Sequence, residues 1–337
     1  MELQRHLIPA VSAEPGRIRV IGPNPAMDRL QVLPRLAAHG VNRSLKTTAL
    51  PGGKSLIVAR TVRRLEEVPV LYGFLGGAVG EFVRQECSAL GMEDRHTGIA
   101  GETRITSVLV EEGTGRSTVV NEQGPVVTPA ELERLLESLV GDCAPGDMVA
   151  LTGSLPRGVP KDFYAQVVRA LAPSGSRVVV DASGEALEHA AAAAPWALKC
   201  NLEEFSACFA PGPGFANEAA LLQAMDEQLQ AGTRLVVVTL GADGLLAAGA
   251  DGVWQVLPPQ VSTVNPTGSG DTFLGAFLVA CARGADIPDA LRLGTAAAAA
   301  NAASFEPDLG ENPDLAGLLA AVRVQQVDTA AACKVVS

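Results

Sequence analysis

Asn265-Pro266-Thr267-Gly268-Ser269-Gly270-Asp271-Thr272 sets three small residues before an acidic one, at the start of an apolar run with helical character. The spacing predicts a helix over 271–282, opened by a glycine-rich turn. A helix N-terminus offers unpaired N–H groups and positive partial charge, and glycines let an anion approach the backbone. Such a nest suits the charge that develops on a phosphoryl group in transfer, with Gly268, Ser269 and Gly270 around it. Asp271 then reads either as a general base, kept ionised by the helix dipole, or as an ordinary helix N-cap.

Upstream of that turn the pattern is regular. Helix is expected at 129–140, 161–171, around 190 and at 217–231, and strand at 147–152, 177–181, 197–200 and 235–240. A hairpin passes through Asp251–Gly252, and a second alanine-rich helix follows at 287–303. Strands alternating with helices imply a parallel sheet covered on both faces. Nearer the N-terminus, strands are expected at 17–22, 28–36, 41–50 and 68–74, with a helix at 55–65. The turn-rich EEGTGR separates 102–111 from 117–121, a hairpin that joins the early strands in a small sheet outside the main core. Beyond about 310 one more helix and a loose tail are expected.

With 337 residues, 47% of them hydrophobic, the chain can build a sizeable core without staples. A formal net charge of −11 repels nucleic acid and anionic membrane surfaces, so an anionic ligand needs a locally positive pocket. Six scattered cysteines without a C-x-x-C pair argue against a zinc site or disulfide framework and for reduced thiols. The four histidines show no metal-ligand spacing. Without a signal-like h-region or an apolar span, a cytoplasmic protein is expected.

Two more turns carry polar groups. Leu50-Pro51-Gly52-Gly53-Lys54-Ser55 opens a helix and places a lysine where it can bind phosphate, but Thr48 stands where a P-loop needs glycine. Gly268, Gly270 and Phe273 likewise fail the dinucleotide fingerprint. Thr152-Gly153-Ser154-Leu155-Pro156 follows a strand, where ligands gather in parallel sheets, or is a plain connecting loop. Asn201 and Glu204 read as a helix start.

Taken with NPAMD at 24–28, GGK at 52–54, GFLGG at 73–77, GETR at 101–104, TGSLPRGVP at 152–160, NLEE at 201–204 and TLGADG at 239–244, the 265–273 segment resembles the ribokinase-like phosphofructokinase B family of carbohydrate kinases. The likeness covers about 17–305 and is strongest to its 1-phosphofructokinase and tagatose-6-phosphate kinase branch. It implies an α/β, three-layer ribokinase-like fold with a mostly parallel central sheet and a small β-sheet lid. The kinase domain would span 17–325, with lid strands near 28–50 and 102–121, a mobile extension at 1–16 and a tail at 326–337. The lid would close over the sugar and meet a partner lid in a homodimer.

The resemblance implies an ATP- and Mg2+-dependent transfer to a ketohexose phosphate, fructose 1-phosphate first. Tagatose 6-phosphate, fructose 6-phosphate, another small sugar or a nucleoside are alternative acceptors, and a non-catalytic sugar-phosphate sensor is the alternative of another class. By that likeness Asp28 would bond sugar hydroxyls, and Gly52 and Gly53 would let the sugar lie on backbone. Lys54 and Arg104, helped by Arg43 and Ser154, would hold the acceptor's phosphate. Lys199, Asn201, Thr239, Gly241 and Gly244 would line the nucleotide, and Glu204 would reach Mg2+ through water. Where the family continues Gly-Gly-Lys-Gly-x-Asn, this chain has Ser55 and Ile57, and isoleucine offers sugar hydroxyls no hydrogen bond.

Overall fold

Uninterrupted aliphatic runs such as VVVD and LVVVT are accommodated inside a sheet covered on both faces, and here they make its centre. A computed structural model describes residues 16–327 of the protein, except 114–115, 211, 213, 305–307 and 311–312. In chain order β1 (Ile18–Gly22), β2 (Ala26–Leu33) and β3 (Lys46–Gly52) lead to α1 (Lys54–Arg64), β4 (Pro69–Leu75) and α2 (Gly77–Ala89). The short strands β5 (Glu93–Asp94) and β6 (Thr97–Gly98) precede β7 (Arg104–Glu111) and β8 (Ser117–Asn121). Then come α3 (Pro129–Asp142), β9 (Met148–Thr152), α4 (Phe163–Leu171), β10 (Arg177–Asp181), α5 (Gly184–Ala191) and β11 (Ala197–Asn201). The chain continues through α6 (Leu202–Phe209), α7 (Glu218–Gln230), β12 (Leu235–Thr239), β13 (Leu245–Gly249) and β14 (Gly252–Leu257). It closes with α8 (Ser269–Ala282), α9 (Ile287–Ala302), α10 (Leu315–Ala321) and β15 (Arg323–Val327).

The large sheet runs β15-β14-β13-β12-β11-β10-β9-β1-β4-β5, with β6 also on β4. From β12 to β5 every pairing is parallel, and the three pairings from β12 to β15 are antiparallel. One face is covered by α1, α2, α8, α9 and α10 around Leu56, Val83, Phe277, Leu291 and Leu315, and the other by α3 to α7 around Leu135, Phe163, Leu187, Phe205 and Met225. The expected three-layer α/β architecture is therefore present. Small residues bring the helices of the first face together: a side chain on Gly275 of α8 would strike Thr61 and the Val58 carbonyl of α1.

A separate four-stranded sheet, ordered β3-β2-β7-β8, is the small sheet expected from the sequence. Its central pair, β2 and β7, is parallel, with Asp28 opposite Thr106 and Ala26 opposite Arg104.

Several boundaries and elements differ from the sequence reading. Helix α8 begins at Ser269, not Asp271, because Gly268 at φ 82 serves as its N-cap. Helix α2 was not anticipated: only Gly80, Val83 and Cys87 of it are buried, a stripe too thin to stand out beside its polar residues. Strand β15 was expected as helix end and tail; its Arg-Val-Gln-Gln-Val has little strand character of its own and is recruited by the free edge of β14. The extension read at 1–16 lies outside the described residues except for Gly16, as do Thr114 and Gly115 of the hairpin turn and residues 328–337 of the tail.

Candidate active site

The carboxyl ends of the parallel strands collect the polar residues. Thr152 ends β9 opposite Asp181 of β10, and Asn201 ends β11 opposite Thr239 of β12. Against this edge rests the N-terminus of α8. The Ser269 amide donates to Pro266 O at 3.2 Å and the Thr272 amide to Gly268 O at 2.8 Å, while among the described residues no acceptor takes the amides of Gly268, Gly270 or Asp271. Gly268 adopts a left-handed conformation, φ 82, that a side chain would strain.

Asp271 is the third residue of α8, is buried, and caps nothing with its side chain, which removes the N-cap reading. The expectation that the helix dipole keeps it ionised is also corrected. Burial, aided by the negative charges of Asp181 and Glu204 and opposed by Lys54 and Lys199, pushes its carboxyl up to about 7. A carboxyl poised there is matched to accepting a proton near neutrality.

Asp181, at the end of β10 and fully buried, accepts from Lys199 Nζ at 2.6 Å on one oxygen and from Lys54 Nζ at 3.4 Å on the other. Burial alone would raise its pKa, but the two ammonium groups outweigh that and hold it low. Lys54 is held above its usual value, first by Asp181 and against its own desolvation, with Asp271 and Glu204 adding to the effect. Gly270 packs close to Lys199, since a side chain there would stand 3.0 Å from its Nζ. Two cations thus sit beside the open amides of α8. The sequence reading grouped Lys54 with Arg104 at the acceptor's phosphate; in the structure Lys54 Nζ lies 3.4 Å from Asp181 and 3.8 Å from Glu204.

The other end of the site hangs from the small sheet. Asp28 packs so tightly on the Gly52 backbone that any side chain there would overlap its carboxylate. Burial raises the Asp28 pKa, against the pull of Arg60, the Gly53 amide, Arg104 and the Thr106 hydroxyl. Arg104 donates twice to the Asn24 carbonyl, at 3.1 and 3.0 Å, and Asn24 donates through its amide to Ser154 Oγ at 3.1 Å. Arg43 is exposed on the loop between β2 and β3. Below the sheet lies a cavity of about 660 Å³, walled by Asp28, Leu30, Leu50, Ile57, Arg60 and Thr267 among others.

Toward the nucleotide side expected from the sequence, Asn201 and Glu204 form a reciprocal cap on α6: the Glu204 amide donates to Asn201 Oδ1 at 2.8 Å and the Asn201 amide to Glu204 Oε2 at 3.0 Å. Thr239 donates to the Cys200 carbonyl at 3.4 Å, and Gly241 and Gly244 bracket the turn after β12. Among the described residues no group of three or more His, Cys, Asp or Glu side chains can hold a metal. Glu204 Oε1, left outside the cap, lies 3.8 Å from Lys54 Nζ. Of the cysteines, Cys87, Cys143, Cys200, Cys208 and Cys281 are free, and Cys333 lies outside the described residues. No described helix is long and apolar enough to cross a membrane.

Sequence reasoning overlooked Asp181 and Asn24 as site residues. Asp181 had a signal, an acidic residue ending an apolar strand of a parallel sheet, the position where ligands collect. Asn24 stood inside a quoted motif, but its carbonyl and amide act together only once Arg104 and Ser154 are folded against it.

Comparison with known proteins places the whole chain in a family. The chain is 30% identical over 304 residues to 1-phosphofructokinase of Bacillus subtilis strain 168, covering 90% of this chain and 98% of the relative. It is 32% identical over 310 residues to 1-phosphofructokinase of Escherichia coli K12, with 92% and 98% covered. The crystal structure of phosphofructokinase-2 from Escherichia coli in complex with potassium superposes with a TM-score of 0.86 at 27% identity, covering 90% of this chain and 98% of that one. Residues 24–313 match the family described as pfkB family carbohydrate kinase. The chain belongs to that family, and is an ATP-dependent sugar-phosphate kinase.

Proposed function

We propose that the enzyme transfers the γ-phosphoryl group of MgATP to the free primary hydroxyl of fructose 1-phosphate, giving fructose 1,6-bisphosphate. The observation that carries the reading is the buried Asp271 carboxyl, poised at about 7 beside the open amides of Gly268 and Gly270. As the new O–P bond forms, the acceptor's proton passes to Asp271, and the bond to the β-phosphate breaks with its electrons leaving on ADP. The amides and the Lys54 and Lys199 ammonium groups stabilise the negative charge of the migrating group. Lys54 is thereby assigned to the transferring phosphoryl, with the acceptor's own phosphate left to Arg104 and Ser154. Magnesium, when bound with the nucleotide, would neutralise phosphate oxygens, and Glu204 would hold it through water.

Asp28 would orient the sugar hydroxyls, and the small sheet would act as a lid that excludes water and meets its counterpart in a homodimer. Preference for fructose 1-phosphate rests on the names of the relatives. A second acceptor reading is favoured by Ile57, which is buried in the cavity wall where a hydrogen-bonding group would serve a sugar. ADP release measured over fructose 1-phosphate, fructose 6-phosphate, tagatose 6-phosphate, free hexoses and nucleosides tests the assignment. The largest kcat/KM is expected for fructose 1-phosphate; activity confined to unphosphorylated acceptors would overturn it.

A further inference from the structure

Asn301 interrupts the alanine run at the end of α9 and is wholly buried. Its side-chain nitrogen donates to the Thr267 carbonyl and to Ser269 Oγ, both at 3.0 Å. Its oxygen accepts from the Thr272 hydroxyl at 3.2 Å. These partners flank Gly268, Gly270 and Asp271 on both sides. The next residue grips the same loop through its backbone, since Ala302 O accepts from Val264 N at 2.7 Å and from Asn265 N at 3.1 Å. Both donors and one acceptor site of a buried amide are therefore spent on the loop that carries the proposed base.

The pattern has a direction. An anion-binding loop must show donors to the ligand and turn its acceptors away, and a carbonyl facing the phosphoryl group would repel it. Asn301 holds the Thr267 carbonyl to itself. It also occupies a lone pair of Ser269 Oγ, which leaves the hydroxyl proton of Ser269 to donate elsewhere. We infer that Asn301 is a positioning residue for phosphoryl transfer: it orients Ser269 as a donor and keeps the 267 carbonyl out of the anion's path. The inference rests on the Asp271 loop being the transfer loop.

A double-mutant cycle tests it, with kcat, both KM values and Tm measured for Asn301→Ala, Ser269→Ala and the pair, beside Asp271→Asn. Each single change is expected to lower kcat about ten- to hundredfold, at or below the cost of removing a direct oxyanion donor. The acceptor KM should stay within about twofold, because the loop's donors act mainly on charge present in the transition state. Because Asn301 acts through Ser269, the double variant should be no slower than the slower single variant. Losses that multiply, or a lowered Tm with kcat unchanged, would overturn the inference alone. Full activity in Asp271→Asn would overturn it together with the proposed function. Should Asn301→Ala fail to fold, Asn301→Asp, which keeps the shape but not the donor pair, carries the same cycle.

Discussion

Replacing Asp271 by asparagine should stabilise the protein while disabling it, and the stabilisation should depend on pH. Burial raises the carboxyl from 3.8 to about 7 in the folded state. The folded protein therefore binds this proton more tightly than the unfolded chain. The contribution is fully present below about 3.8 and is lost as pH rises through about 7. Each pH unit of difference is worth about 1.4 kcal/mol, so the ionised side chain costs the fold up to about 4 kcal/mol above pH 8. Asparagine keeps the shape of the neutral acid and escapes that cost. Urea titrations of both proteins from pH 4 to 9 should show a stability difference that is smallest at pH 4, grows between 4 and 7, and levels off above. Turnover should fall at least about a hundredfold, and in the wild type kcat/KM should decline below about pH 7 as the base is protonated. A stability difference that does not change with pH would refute the reasoning, since it would mean that the carboxyl is no harder to ionise in the folded protein than in water.

Two further substitutions probe the two ends of the site. Lys54→Met keeps the stem but removes one of the two cations on Asp181; kcat should fall about tenfold or more with little change in acceptor KM, whereas a raised acceptor KM with unchanged kcat would return Lys54 to the acceptor's phosphate. Ile57→Asn puts a hydrogen-bonding group into the cavity wall and should change the ratio of kcat/KM between fructose 1-phosphate and the other ketose phosphates by about tenfold, the worth of one buried hydrogen bond; identical ratios would mean that the acceptor does not touch this wall.

The parallel core was legible because its signals are local. Strand β10 was read at its observed bounds, and most elements from α3 to α9 within two or three residues, since short aliphatic runs alternate there with amphipathic helices. The glycine turn before α8 was legible for the same reason. Helix α2 and strand β15 were not, because one buries only a thin stripe and the other is strand by virtue of its neighbour. At the site, chemistry carried by a motif could be named, whereas chemistry made by assembly could not. The ionisation of Asp271 depends on Lys54, Asp181, Lys199 and Glu204, brought from four other elements, and sequence showed only the helix end it sits on. Lys54 was visible as a cation, but its direction was set by Asp181, 127 positions further along.

The small sheet also bears on how the enzyme is born. Its middle strands run side by side in the same direction, so a tight turn cannot join them, and the Arg104 contact with Asn24 spans 80 residues. Closing so long a segment is entropically expensive, and pairings of this kind tend to come late in folding. On a growing polypeptide, Asp28 can meet Gly52 through the β2–β3 pairing but lacks Arg104 and Thr106 until β7 has been synthesised and has docked. A nascent chain stalled before β7 would leave the β7-facing edge of β2 unpaired and open to aggregation.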